Sequence, residues 1–443
     1  MTEWPTVAIG DVAKIFDGPH ATPKTVTAGP IFLGIGALQD GRINLGETRH
    51  VTPEDFASWT RRVKPQPGDV VFSYETRLGQ AAIIPEGFEC CLGRRMGLVR
   101  TDRGKLDPKF FLYYYLSPLF QDFLRSRTVF GATVDRIALK EFPSFPVALP
   151  DLRKQRAIAD VLGSLDDKIE LNRRMNETLE AMAQAIFRDW FVDFGPTRRK
   201  LDGATDSVEI MGSLVQDADR AQALADLFPA THGDNGLPEG WKSKSLLDQA
   251  NWINGAAYKN MHFSDALDAL PVVKIAELKN GVTSNTKRTN TALGERYRIS
   301  DGELLFSWSG NPDTSIDAFV WIGGDAWLNQ HIFAVRENGV RSKAALYVLL
   351  KALMLQFAEL ARNKQTTGLG HVTKEDMKRL EIAVAPTPVE AAFESLVTPL
   401  IDLLVNRLFE SRTLAATRDL LLSKLMSGEI RLSDAEDVIE ASQ

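Results

Sequence analysis

A chain built from two diverged copies of one unit must fold into an architecture that uses each element twice, and this sequence carries such a duplication. Trp4-Pro5-Thr6-Val7-Ala8-Ile9-Gly10-Asp11 answers Trp241-Lys242-Ser243-Lys244-Ser245-Leu246-Leu247-Asp248 at Trp, an aliphatic and Asp, with Gly18 and Gly255 following at an offset of 237. Ile35-Gly36-Ala37-Leu38-Gln39-Asp40-Gly41 answers Ile275-Ala276-Glu277-Leu278-Lys279-Asn280-Gly281 at 240. Gly68-Asp69-Val70-Val71-Phe72-Ser73-Tyr74 answers Gly302-Glu303-Leu304-Leu305-Phe306-Ser307-Trp308 at 234, and the segments 166–173 and 400–407 align at 234 again. Matches in one order, with offsets drifting by a few residues, describe two copies separated by small loop insertions.

Both copies follow one plan. The first part holds short apolar runs bounded by Gly, Pro, Asn and Asp: Pro30–Leu33, Val70–Tyr74 and Gln80–Ile84, then Leu304–Phe306, Phe319–Ile322 and Ile332–Val335, which predict strands. One helical stretch is embedded near the end of each, Pro108–Arg127 and Ser342–Arg362. The second part is a long helix. Ile158, Leu162, Leu165, Ile169, Asn172, Asn176, Leu179, Ala183, Ile186 and Trp190 alternate steps of four and three, a heptad seam on a rod of roughly 60 Å. Phe393, Val397, Leu400, Leu404, Leu414, Leu421 and Leu425 keep the rhythm in the second copy; Pro399 implies either a rod starting near Thr398 after a short helix or a kink. Asn172 and Asn406 correspond under the repeat, and buried Asn at those places would fix helix register, the alternative being that both lie on a solvated flank. The predicted divisions are 1–150, a first strand-rich domain; 151–194, a long helix; 195–236, a surface linker with at most a short helix near Asp219–Phe228; 237–388, a second strand-rich domain; 389–430, a second long helix; and 431–443, a tail.

The net charge of −6 offers no general basic footprint for nucleic acid. Divided at the repeat boundaries, residues 1–150 and 237–388 carry +2 each, and 151–236 and 389–443 carry −5 each. The acidic excess therefore lies in the blocks that hold the helices and linker. Adjacent Cys90 and Cys91 form neither an ordinary bridge to each other nor a CxxC metal spacing and read as reduced. No stretch approaches the 18 or so apolar residues of a membrane span, so a cytoplasmic location is expected.

Catalytic signatures are missing. Gly104-Lys105 lacks the remainder of a phosphate loop, Gly34-Ile35-Gly36 lacks the third glycine of a dinucleotide fingerprint, and His20, His50, His232, His262, His331 and His371 show no HxH or HxxxH spacing. Asn311-Pro312-Asp313 reads as a loop. No catalytic residue and no metal ligand is assigned.

The residues now carry a family resemblance. Leu149-Pro150-Asp151-Leu152-Arg153-Lys154-Gln155-Arg156-Ala157-Ile158-Ala159, Leu165-Asp166-Asp167-Lys168-Ile169-Glu170-Leu171-Asn172 and Trp190-Phe191-Val192-Asp193-Phe194 resemble the first conserved region of the specificity subunit of type I restriction-modification systems. Leu237-Pro238-Glu239-Gly240-Trp241 resembles the opening of its second recognition domain, and Leu421–Ile430 its C-terminal helix end. Lys154 stands where the family has an acidic residue, and Glu390-Ala391-Ala392 lacks the Gln that follows it. The resemblance implies an α+β fold of two strand-rich target recognition domains separated by two long antiparallel helices, a coiled-coil spacer with a pseudo-twofold internal repeat. It also implies a non-catalytic chain that reads a bipartite site in double-stranded DNA. Two methyltransferase subunits would bind the long helices and motor-nuclease subunits would join them. The chain would hold no cofactor; S-adenosylmethionine, ATP and Mg would sit on the partner subunits.

Within that resemblance, the loop before the last strand of each recognition domain points to Thr133 and Arg136 in the first copy and to Thr367 and His371 in the second. Those side chains can meet base edges. The loops after the matched strands add Tyr74, Thr76 and Arg77, and Trp308, Ser309 and Asn311. Arg94-Arg95 corresponds to Gln330-His331, a positive pair against a neutral one, which suits two different half-sites. The competing readings are a two-armed protein–protein scaffold without DNA specificity, and an enzyme using an unrecognised site.

Overall fold

The computed structural model describes residues 4–20, 22–39, 41–131, 134–364 and 369–435. They form two compact units, Met1–Glu170 with Thr413–Gln443, and Leu171–Arg412. In the first unit the apolar runs become a four-stranded antiparallel sheet in the order Ala13–Asp17, Met96–Thr101, Val70–Ser73, Ala81–Ile83. A smaller sheet pairs Val26–Leu33 in parallel with Cys90–Leu92. The predicted helical stretch is broken in two, Pro108–Leu116 and Pro118–Ser126, because Ser117 caps the second and Pro118 cannot continue the first. Strand Thr6–Ala8 pairs with Pro146–Ala148 and closes the module's ends.

The second unit repeats this. Its four-stranded sheet runs Asn251–Asn254, Ile332–Arg336, Leu304–Ser307, Asp317–Val320, the same order built from the matched segments. A parallel pair again sits in a second sheet, Leu270–Val273 beside Ala326–Leu328. Lys343–Ala352 and Met354–Asn363 are its two helices, and Lys242–Ser245 pairs with Glu381–Val384. No single helix among the described residues is long and apolar enough to cross a membrane.

The long helices are Leu152–Phe187 and Thr387–Met426, about 54 and 60 Å at 1.5 Å per residue. The second passes through Pro399 as one helix, so the rod does not start at Thr398 after a separate short helix. Pro399 is exposed, so the Ser395 carbonyl that loses its partner faces water. In the first unit Ile158, Leu162 and Leu165 share a core with Leu414, Leu421 and Leu425. In the second, Leu179, Ala183, Ile186 and Trp190 share one with Phe393, Val397 and Leu404. There the helices are antiparallel: Asn172 bonds residues 407–411, and Phe187 stacks edge-on against Phe393.

One register expectation fails. Asn172 is fully buried, but Asn406 is exposed. Arg407 takes its place: its Nη1 donates to Asn172 Oδ1 at 2.8 Å, while Asn172 Nδ2 donates to Glu410 at 2.8 Å and to Ser411 at 3.3 Å. The polar layer is thus an amide against an ion pair, not Asn against Asn.

Segment 195–236 also departs from a surface linker. It forms helices Gly195–Leu201, Ser207–Ile210 and Ala218–Ala225, and Ile210, Met211, Leu224 and Phe228 enter the core beside Trp190 and Trp241. Arg199 grips Asp189 through two bonds of 2.8 Å. Asp217, Asp219 and Asp226 remain exposed. After the second long helix, Ile430 and Leu432 pack against the first unit's core and Ala435 is buried in it.

Gly163 lies inside the first long helix, where a Cβ would meet nothing closer than the Tyr113 hydroxyl at 3.8 Å. Gly163→Ala is therefore expected to stabilise the chain by about 0.5–1 kcal/mol through helix propensity, read as a raised urea midpoint.

Candidate nucleic-acid interface

The sites of the two modules are built on one backbone pattern. The strand that ends at Ser73, or at Ser307, runs into an aromatic residue whose main chain is held on both sides. Tyr74 N–H donates to the Arg95 carbonyl at 3.2 Å, and its carbonyl accepts from Ile137 N–H at 2.9 Å. Trp308 N–H donates to the His331 carbonyl at 3.3 Å, and its carbonyl accepts from Val372 N–H at 2.8 Å. In each sheet a glycine closes the edge strand two places away: Gly18 N–H donates to the Met96 carbonyl at 2.9 Å and Gly255 N–H to the Ile332 carbonyl at 3.1 Å. The loop expected to read DNA is tied to the same place. Glu75 pairs with Arg136, and Ser309 with His371.

Side chains then diverge on this common frame. The Tyr74 hydroxyl donates to Asp17 Oδ1 at 2.9 Å; burial, reinforced by that carboxylate, holds its pKa well above the usual range. The Trp308 indole donates to Asn254 Oδ1 at 2.9 Å, and its ring lies 5.6 Å from that of His331. Burial lowers the His331 pKa, so this imidazole is neutral near pH 7. Gln330 Nε2 lies 3.3 Å from His331 Nε2.

In the first module Thr76 and Arg95 both have left-handed backbones, φ 69° and 73°, and Arg95 Nη1 donates to Thr76 Oγ1 at 3.0 Å. Arg95 Nε also lies 3.1 Å from a Glu75 carboxylate oxygen. Positive φ is uncommon outside glycine and a true outlier for β-branched Thr76, and two non-glycine residues in this conformation bonded to each other mark a strained surface of the kind found at functional sites. The second module relieves the first of these positions with Gly310, φ 123°.

Most of the expected residues come together, and some do not face a ligand. Tyr74, Thr76, Arg95 and Arg136 cluster in the first module; Trp308, Ser309, Gln330, His331 and His371 cluster in the second. Arg77 is spent on structure, donating to the Gly36 carbonyl at 2.8 Å. Asn311 is an internal turn brace, its Oδ1 accepting from Asp313 N–H at 2.9 Å. Thr133 and Thr367 lie outside the described residues.

Sequence reading passed over Asp17, His20, Asn254 and Arg49. The signal for two of these was present, since the offset of 237 that pairs Gly18 with Gly255 also pairs Asp17 with Asn254. Arg49 joins Arg94 and Arg95 around a cleft of about 360 Å³ whose lining includes Gly34, Gly93 and Glu47. Arg49 and Arg94 are exposed, so their guanidinium groups are available to an anion.

Among the described residues no group of three His, Cys, Asp or Glu could hold a metal ion. Burial pushes the Cys90 thiol up to about 12 and Cys91 up to about 11, so neither is a thiolate near neutral pH.

Paired mixed modules of this kind, each joined to a long helix, define a class, and a family model settles which. The type I restriction modification DNA specificity domain matches residues 1–181 and again 238–391, and the chain belongs to that family. Its role is DNA sequence specificity in type I restriction-modification. The type I restriction enzyme HindI specificity subunit of Haemophilus influenzae is 26% identical over 473 residues, covering 97% of this chain and 100% of the relative. The MjaIX specificity subunit of Methanocaldococcus jannaschii is 24% identical over 400 residues, covering 88% of this chain and 84% of the relative. A crystal structure of the type-I restriction-modification system S subunit from M. genitalium matches the fold with a TM-score of 0.50 at 14% identity, covering 95% of this chain and 96% of that one.

Proposed function

We propose that the chain reads a bipartite site in double-stranded DNA, one half-site per module, and carries no catalysis of its own. The observation behind this is one backbone frame used twice with different chemistry: Tyr74, Asp17 and Arg95 on the first copy, Trp308, Asn254 and His331 on the second. A duplicated frame with identical side chains would read a repeated half-site, whereas this one suits two different ones. Arg49 and Arg94 are placed to meet phosphate, which positions a reader without specifying sequence. The long helices set the spacing of the half-sites. Half-sites one helical turn apart lie about 34 Å centre to centre, so rods of about 54 and 60 Å are of the right order. Methyltransferase subunits, using S-adenosylmethionine, dock on these acidic helices; motor-nuclease subunits requiring ATP and Mg join through them.

Mapping of modified bases in the source genome tests this. A bipartite methylated motif that disappears when the gene is deleted is the expected result, and no such motif would overturn the reading. DNA affinity of the assembled complex should fall steeply with salt, by close to one decade per decade of salt for each phosphate contacted. The chain alone, with only +2 on each recognition block, should bind far more weakly than the complex. A two-armed scaffold without DNA specificity would give the complex no site preference at any salt concentration.

A further inference from the structure

Asp17 and Asn254 end equivalent strands, one residue before the repeated glycines, and each is held by the aromatic residue that opens the neighbouring loop. Their hydrogen-bonding characters are opposite. The Trp308 indole N–H can only donate, so the oxygen of the Asn254 amide must face it and Nδ2 must face away. Asn254 is exposed, and among the described residues its Nδ2 has no partner. Asp17 has no proton to offer. Its Oδ1 accepts from Tyr74, its Oδ2 meets His20 Nε2 at 2.8 Å, and its side chain is 31% exposed, so what it presents outward is acceptor lone pairs. At the position corresponding to His20 the second copy has Ala257, so that brace belongs to the first copy alone.

We infer that Asp17 and Asn254 are specificity-determining residues occupying one repeated position with inverted hydrogen-bond polarity. Asp17 accepts from an exocyclic amino group, cytosine N4 or adenine N6, in the half-site read by the first copy. Asn254 Nδ2 donates to a base acceptor, guanine O6 or N7 or thymine O4, in the other half-site. Tyr74 and Trp308 are positioning residues: they decide which atoms of Asp17 and Asn254 face the groove. The assignment rests on the proposed reading of half-sites by these modules.

The test uses the complete complex in cells, with Asp17→Asn, Asn254→Asp and Trp308→Phe each introduced at the native locus and modified bases mapped genome-wide. Preference is scored as the ratio of modification at sites differing in a single base, a ratio that does not depend on how much complex accumulates. Asp17→Asn should change preference roughly tenfold or more at one position of one half-site, leaving the other half-site and the spacing untouched. Asn254→Asp should do the converse. Trp308→Phe frees the Asn254 amide to turn over, so the same position as for Asn254→Asp should be relaxed to two bases rather than exchanged. A wild-type motif whose every base is unmoved in all three variants would overturn the assignment, as would equal weakening at both half-sites. A wild type with no gene-dependent bipartite motif would sink the half-site reading itself, and this assignment with it.

Discussion

Replacing Arg341 by alanine is expected to cost the second unit about 3–5 kcal/mol, because it strands a buried carboxylate. Arg341 is 3% exposed. Its Nη2 donates to Glu390 Oε1 at 2.8 Å, its Nε donates to Gln249 Oε1 at 3.2 Å, and its guanidinium lies 5.6 Å from the centre of the Phe191 ring. Glu390 also accepts from Ala385 N–H at 3.1 Å, which fastens the start of the second long helix. Burial raises the Glu390 pKa and lowers that of Arg341, and their pairing works against both shifts. Without Arg341 the Glu390 carboxyl rises further. A raised folded pKa favours the native state at low pH and loses that advantage as pH climbs, so the variant's deficit should be smallest near pH 4 and grow toward neutrality.

The first copy shows what the site tolerates. An offset of 235 puts Leu106 in place of Arg341 and Gln155 in place of Glu390. Gln155, fully buried, donates to the carbonyls of Pro150 and Lys105 at 2.8 and 2.9 Å and accepts from Asp107 N–H at 2.8 Å. Proline at 150 has no N–H to offer, so the anchoring side chain must donate there, whereas Ala385 has one and an acceptor suffices. The double variant Arg341→Leu with Glu390→Gln is therefore expected to lie within about 1 kcal/mol of the native chain, as replaced buried ion pairs often do. Urea unfolding measures both. A single variant losing under 1 kcal/mol, or a double variant as damaged as the single, would show that the pair does not act as described.

This pair also marks where sequence reading stopped. The strands, the helices and the duplication were legible because period and spacing reveal them: Val70–Ser73 and Leu304–Ser307 are short apolar runs, and the seam from Ile158 to Trp190 holds its rhythm through both cores. A charge such as Arg341 carries no sign in sequence that it is buried. Glu390 anchors the second long helix through Ala385 N–H where Gln155 anchors the first through the Pro150 carbonyl, a change of partner that the sequence does not display. Asn406 was misplaced because alignment by repeat does not fix helix rotation; packing turned Arg407 inward. Segment 195–236 hid its core residues, Ile210, Met211, Leu224 and Phe228, among Asp and Gly, so no period of 2 or 3.6 emerged. At the candidate interface the loops were legible from the repeat. Asp17 and Asn254 were not singled out, because nothing in sequence tells that Tyr74 and Trp308 reach them.

Gly255→Ala and Gly18→Ala should each disable one module and spare the other. A Cβ on Gly255 would overlap the Asn329 main chain and come within 2.5 Å of the Leu328 carbonyl oxygen, and one on Gly18 would lie 2.7 and 2.8 Å from the Met96 and Gly93 carbonyl oxygens. Every obstacle is backbone inside or beside a strand pair, so no side chain can swing aside; the strand end must move. Overpacking of this kind costs about 2–3 kcal/mol, with Gly255→Ala the more severe because its contacts are shorter. The displaced residues are Asn254 and Asp17, so recognition should suffer along with stability. On the proposed reading of a bipartite site, modification of that site should fall sharply in either variant. Binding of the complex to DNA carrying one half-site should separate the two variants: Gly255→Ala should lose the half read by the second copy, and Gly18→Ala the half read by the first. Equal loss at both half-sites would mean that the glycines support the whole chain and not one recognition module each. Unchanged binding and stability would mean that the strand ends at Asp17 and Asn254 can shift freely, and the repeated frame would then have no part in reading DNA.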